Sequence, residues 1–127
     1  MPTTGQAVLE GTGSLIALGG LYDVFVPRLP ANLKAMCGED ARSSKLVREL
    51  LRALGGALVG IGVAVVVLAT EFDRESRERT TMLILILVLP SEGMNALGML
   101  RVGSPYYVPL ALIVLTLVGL AILWSSL

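Results

Sequence analysis

The sequence predicts an all-α protein, a four-helix transmembrane bundle forming one domain over residues 1–127, and three observations carry that prediction. First, 54% of the residues are hydrophobic and 16% are charged, with a mean hydropathy of +0.78. A soluble domain of this length cannot hide so much apolar surface. Second, the apolar residues fall in runs long enough to cross a hydrocarbon layer of about 30 Å. Third, the charges gather between those runs, where a chain folded in lipid must return to water.

The elements follow in order. The first span, about residues 7–26, contains Glu10, four glycines and Asp23, so hydropathy alone makes it marginal. Neighbouring helices that cover its polar groups would retain it. Pro27 and Pro30 end it, and Ala31 to Ser43 reads as a loop with room for a short interfacial helix. The second span, about 44–69, has 17 uncharged residues from Ala53 to Ala69 behind an amphipathic start, Lys45 to Arg52. Its length of roughly 39 Å is ample for a bilayer.

Glu71 to Arg79 is a hairpin of alternating charges that belongs in water. The third span, about 80–100, is interrupted by Pro90, Glu92 and Asn95. Gly103 and Pro105 then enforce a turn, the first by backbone freedom and the second as a helix opener. The fourth span, about 106–125, carries aromatics at both ends, Tyr106 and Tyr107 at one and Trp124 at the other, as interfacial belts do.

Basic residues orient the bundle. Arg28, Lys34, Arg42, Lys45, Arg48, Arg52 and Arg101 share one side, against Arg74, Arg77 and Arg79 on the other, seven to three. The excess predicts a multi-pass integral membrane protein with both termini on the non-cytoplasmic side. Met1 to Glu10 lacks the positive charges of a secretory signal, so that segment is expected to be retained. Glycines at 13, 19 and 20 in the first span, and at 55, 56, 60 and 62 in the second, permit close helix approach. The Gly56-xxx-Gly60 spacing is read either as packing within the bundle or as a dimer face.

Composition removes several functions. Lys plus Arg equals Asp plus Glu at ten each, and no basic run resembles a nucleic-acid-binding arm, so no nucleic acid partner is expected. With no histidine and Cys37 the only cysteine, the chain lacks the usual ligands of zinc, copper and haem, and neither metal nor cofactor is expected.

Chemistry rests on ionisable groups at membrane depth, each of which needs a partner or a wet cavity. Glu92 lies eight residues before Leu100, roughly 12 Å from that end of its helix, and Asn95 shares its face. Antiparallel bookkeeping puts Arg52 at similar depth, with Asp23, Tyr106 and Tyr107 in the same half. One reading makes Arg52 and Glu92 a structural ion pair. The other makes a half-membrane pocket in which Glu92 donates or accepts a proton, Asp23 is a second carboxylate, and Asn95, Arg52, Tyr106 and Tyr107 bind a ligand. Pro90, two residues before Glu92, frees a backbone carbonyl and suits a cavity.

Arg48-Glu-Leu-Leu-Arg-Ala-Leu-Gly-Gly-Ala-Leu-Val-Gly-Ile-Gly62, preceded by Tyr22…Pro27 and followed by Gly103-Ser-Pro105, resembles the DoxX-like group of small four-helix membrane proteins. That resemblance covers most of the chain in layout. It implies association with a respiratory or redox complex, or binding of lipophilic small molecules, and no catalytic residue carries over. Pro90-Ser-Glu92 departs from that group. An acid following proline in a membrane helix resembles instead the integral membrane terpene and carotene cyclases, in which carboxylates protonate an alkene or epoxide.

The leading expectation is therefore a membrane protein, with lipid around it, that binds a lipophilic small molecule in a polar half-membrane pocket. Cyclase or isomerase chemistry at Glu92 and Asp23 is its enzymatic form. The alternatives are a non-catalytic accessory subunit of a larger membrane complex and a homo-oligomeric small transporter.

Overall fold

Five helices account for most of the chain described by the structure, a computed structural model covering residues 3–25 and 29–126, with the side chain of Asn32 outside that description. They are α1 (Thr4–Phe25), α2 (Ala31–Cys37), α3 (Ala41–Thr70), α4 (Arg77–Val102) and α5 (Tyr107–Ser126). The protein is all-α, and the helix count exceeds the expected four because the first connection contains α2. Val26, Pro27 and Arg28, where the first span was expected to end, lie outside the described residues.

Three helices, α3, α4 and α5, are long and apolar enough to cross a membrane. This is consistent with an integral membrane protein. At 22 residues α1 is also long enough, about 33 Å, but its glycines, Glu10 and Asp23 leave it less apolar. The outward faces are rich in large apolar side chains, among them Leu18, Leu46, Ile86, Met94 and Val114. Such a surface suits hydrocarbon.

Helix ends move outward from the expected boundaries for identifiable reasons. α3 begins before Ser44 because Asp40 caps it: one carboxylate oxygen accepts from the Arg42 N–H at 3.0 Å, the other from the Ser43 hydroxyl at 2.8 Å. α4 begins at Arg77 because charged residues are good helix formers, although they lie outside the apolar run. Asp73 ties the preceding turn, accepting from the Ser76 N–H at 2.7 Å and its hydroxyl at 2.8 Å. At the other end of α4, Gly103 takes a left-handed conformation (φ 76°), and the Ser104 N–H closes onto the Met99 carbonyl at 2.8 Å.

These caps set a pH dependence. The Ser43 hydroxyl, then the Arg42 N–H, hold the Asp40 carboxyl below the usual carboxylate range; the N–H and hydroxyl of Ser76 do the same for Asp73. A carboxyl whose value is lower folded than unfolded contributes stability that is present above the unfolded value, ~3.9, and lost as pH falls through the folded one. Unfolding in detergent should therefore become progressively easier as pH falls below about 5. The double variant Asp40→Asn/Asp73→Asn should flatten that part of the profile; an unchanged slope would show that other carboxylates govern it.

Around the bundle the helices run α3, α1, α5, α4. α1 packs extensively along α3 and then α5, whereas α4 lies on α5 and touches α3 only lightly. The α1–α3 contact is backbone to backbone. A Cβ on Gly13 would fall 2.7 Å from the Gly62 carbonyl oxygen, and one on Gly20 would fall 2.7 Å from the Val59 nitrogen. Gly13 faces Gly62 and Gly20 faces Gly55, a register that repeats every seven residues, two helical turns. Gly56 and Gly60 have open space around them, so packing of that pair inside the bundle does not occur. Their phase on α3 turns them outward while Gly55 and Gly62 turn in.

The two halves of the bundle differ. Leu9, Val65, Ala69, Ile84 and Leu123 fill one half, where Gln6 Nε2 donates to the Ala69 carbonyl at 3.2 Å. Trp124 Nε1 donates to Thr81 Oγ1 at 2.8 Å there, beneath the Arg77 guanidinium at 4.5 Å from the ring centroid. The half holding the α1–α3 connection and the α4–α5 turn is cavitated.

Candidate functional site

The site begins with a local irregularity in α4. Pro90 has no N–H, so the Ile86 carbonyl loses its helical partner, yet the helix continues through it. Ser91 supports this stretch, its hydroxyl donating to the carbonyls of Leu87 and Val88. Pro90 itself faces outward, and the helical phase turns the residue two positions on toward the bundle axis.

That residue is Glu92, 2% exposed and among the most buried side chains described. The Asn95 side chain lies near its carboxyl, as expected for residues three apart. Its Oε2 atom is sealed from solvent and has no hydrogen-bond partner among the described residues. An unsatisfied buried carboxyl oxygen costs about 1–3 kcal/mol or more, so it needs explanation.

Glu92 lines a cavity of about 380 Å³ enclosed by α1, α4 and α5, with Leu58 of α3. Asp23 and Asn95 line it as well, whereas its walls are largely apolar, including Ile16, Met99, Val108 and Leu112. Asp23 is brought there by the close α1–α3 approach. A Cβ on Gly55 would meet the Asp23 Cβ at 2.9 Å, so only glycine leaves room for this carboxylate-bearing turn.

A second cavity of about 710 Å³ fills the loose seam between α3 and α4. Leu54, Pro90, Met94 and Gly98 line it, and Met94 is 67% exposed, so the seam opens laterally to the outside of the bundle. The two cavities share Asp23, Pro30, Leu58, Asn95, Met99 and Ser104 as lining. Together they lead from the apolar exterior to a buried acid.

Of the residues expected from sequence, Glu92, Asp23 and Asn95 meet at this cavity. Arg52 does not: its Nη1 pairs with Glu49 Oε1 at 2.7 Å, one turn back on α3, with its side chain 45% exposed. The anticipated Arg52–Glu92 ion pair is absent because equal depth does not mean equal azimuth, and Arg52 points outward. Tyr106 and Tyr107 stack edge to face with centroids 6.4 Å apart and are exposed, and neither lines the cavity. The turn at Pro105 rotates Val108, Pro109 and Leu112 inward in their place. Tyr22, Gly19 and Met99 complete the lining and were not expected from sequence. Positions 15, 19, 22 and 23 share one helical face, a signal weakened by the low amphipathicity of α1.

No group of three or more potential metal ligands occurs among the described residues. What the arrangement offers is hydrogen bonding and proton exchange: two carboxyls and an amide in a chamber walled by hydrocarbon. No family model matches the chain, nor does any curated protein or solved structure.

Proposed function

We propose that this chain is a four-helix integral membrane protein, with α1, α3, α4 and α5 spanning the bilayer and both termini on the non-cytoplasmic side, that binds a lipophilic small molecule. The observation that carries this reading is the buried Glu92, its Oε2 unpartnered among the described residues, in the lining of a cavity with largely apolar walls. A ligand with a hydrocarbon body and one hydroxyl, carbonyl or amine group would hydrogen-bond the Glu92 carboxyl and fill the chamber. It would enter from the bilayer through the α3–α4 seam.

In the enzymatic form of this reading, an isomerase or cyclase, Glu92 delivers a proton to the bound molecule and Asp23 accepts one from another of its atoms, and return of that proton from Asp23 to Glu92 resets the pair for the next turnover. Asn95 holds the Glu92 carboxyl in position throughout.

Native mass spectrometry of the detergent-purified wild type beside Glu92→Gln tests the proposal. The wild type should retain a defined lipophilic molecule, and the variant should lose it or hold it chemically altered. Two empty, equally stable proteins would overturn it.

A second reading, an accessory subunit of a larger membrane complex, is favoured by the open space around Gly56 and Gly60 on the outward face of α3. It requires co-purification of a larger assembly that a Gly56→Leu/Gly60→Leu variant releases.

A further inference from the structure

The basic residues at the start of α3 outnumber the carboxylates that reach them. Among the described residues the one ion pair is Arg52–Glu49. Both oxygens of Asp40 are taken by Arg42 N–H and Ser43 hydroxyl donors. Arg48 lies one turn before Arg52 and outside that ion pair. It lines a separate cavity of about 390 Å³ with Leu29, Ala31, Lys34 and Ser44, and no carboxylate lines that cavity.

Three observations make this a built recess. Arg48 Nε is closed off from solvent and lacks a hydrogen-bond partner among the described residues. Lys34 arrives from α2, and Ser44 lies four residues before Arg48, so residues bearing an ammonium, a hydroxyl and a guanidinium line one space from two helices. Leu29, buried, gives it an apolar wall. On either side of Arg48, Leu46 and Leu50 are 61% and 60% exposed, placing this turn of α3 where apolar surface gives way to charge.

We infer that this recess binds a phosphate group, supplied by the headgroup of an anionic lipid. Two cations and a hydroxyl complement a phosphodiester, which accepts charge-assisted hydrogen bonds from guanidinium and ammonium donors. The apolar wall and the flanking exposed leucines favour an anion that carries acyl chains. The site is separate from the Glu92 cavity and stands or falls without it.

The test uses the full-length protein in detergent, titrated by native mass spectrometry with dioleoyl phosphatidylglycerol, dioleoyl phosphatidylcholine and inorganic phosphate. The wild type should retain phosphatidylglycerol preferentially, and Lys34→Gln should weaken it about fivefold, the worth of one cation near a headgroup. Arg48→Gln should weaken it at least as much. Lys45→Gln, an exposed cation outside the recess, should stay within about twofold of wild type. Because Lys34 is exposed, its variant tests binding without disturbing the core. Equal retention of both lipids, or an equal loss in Lys45→Gln, would overturn the site. Displacement of the lipid by millimolar inorganic phosphate would assign the same donors to a free anion and overturn the lipid source.

Discussion

Gly20→Leu is expected to prise α1 from α3 and to cost more stability than any single substitution on the outward faces of the bundle. Even the first carbon of a side chain at this position would sit 2.7 Å from the Val59 backbone nitrogen and 2.9 Å from the Leu58 Cβ. Backbone atoms of a helix cannot move aside singly, so the whole interface must open. Overpacking of this kind costs about 3 kcal/mol or more. Between apolar helices in lipid, close packing is itself much of what holds them together, so opening the interface forfeits it. Asp23, carried on the next turn of α1, would leave the cavity with it. Gly11→Ala and Gly60→Ala meet nothing within 4 Å and should be neutral or stabilising by up to ~1 kcal/mol through helix propensity. Thermal or denaturant unfolding of the three variants in detergent decides the matter. If Gly20→Leu unfolds with the two controls, the Gly20–Gly55 register is wrong.

Replacing Glu92 by leucine is expected to do the opposite to the ligand-free protein: stabilise it, by about 1–3 kcal/mol, while abolishing ligand retention. A buried carboxyl with an unpartnered oxygen is a net cost to the fold, and an apolar side chain of similar volume removes it. A residue that destabilises its own protein is held there by what it does to something else. The converse result, Glu92→Leu melting well below wild type, would mean that the Asn95 contact outweighs the orphaned oxygen and that Glu92 serves the structure. Glu92→Gln separates the two effects further, since it keeps the shape of the side chain but replaces one carboxyl oxygen by an NH2 group and cannot exchange a proton.

Much of this architecture was legible in the sequence because hydrophobic runs and turn residues act locally. The apolar stretches of α3, α4 and α5, the charged connection at Glu71–Ser76 and the turn at Gly103 are all set by such local signals. Boundaries were read short wherever helix continues into charged sequence, as at Arg77–Arg79, since hydropathy registers lipid exposure and not backbone conformation. α2 is short enough that no periodicity could fix it. Within the site, helical phase and depth were sufficient to group Glu92, Asn95 and Asp23. They failed for Arg52, Tyr106 and Tyr107, whose positions depend on rotation about the helix axis, a quantity that tertiary packing sets. The glycine contacts show the same limit: Gly55 and Gly56 are adjacent in sequence, yet one touches a neighbouring backbone and the other touches nothing.

If the proposed ligand enters between α3 and α4, the lateral opening there changes what concentration means for this protein. A chamber whose doorway faces hydrocarbon draws on the molecules dissolved in the membrane, not on those in water. A lipophile is enriched in that phase in proportion to its buried hydrocarbon, about 0.8 kcal/mol for each methylene. Modest intrinsic contacts at Glu92 would therefore suffice for high occupancy, which would follow the mole fraction of ligand in lipid. On the proposed reading the same opening would let bilayer lipids compete for the seam, so the surrounding membrane would act at once as reservoir and as rival.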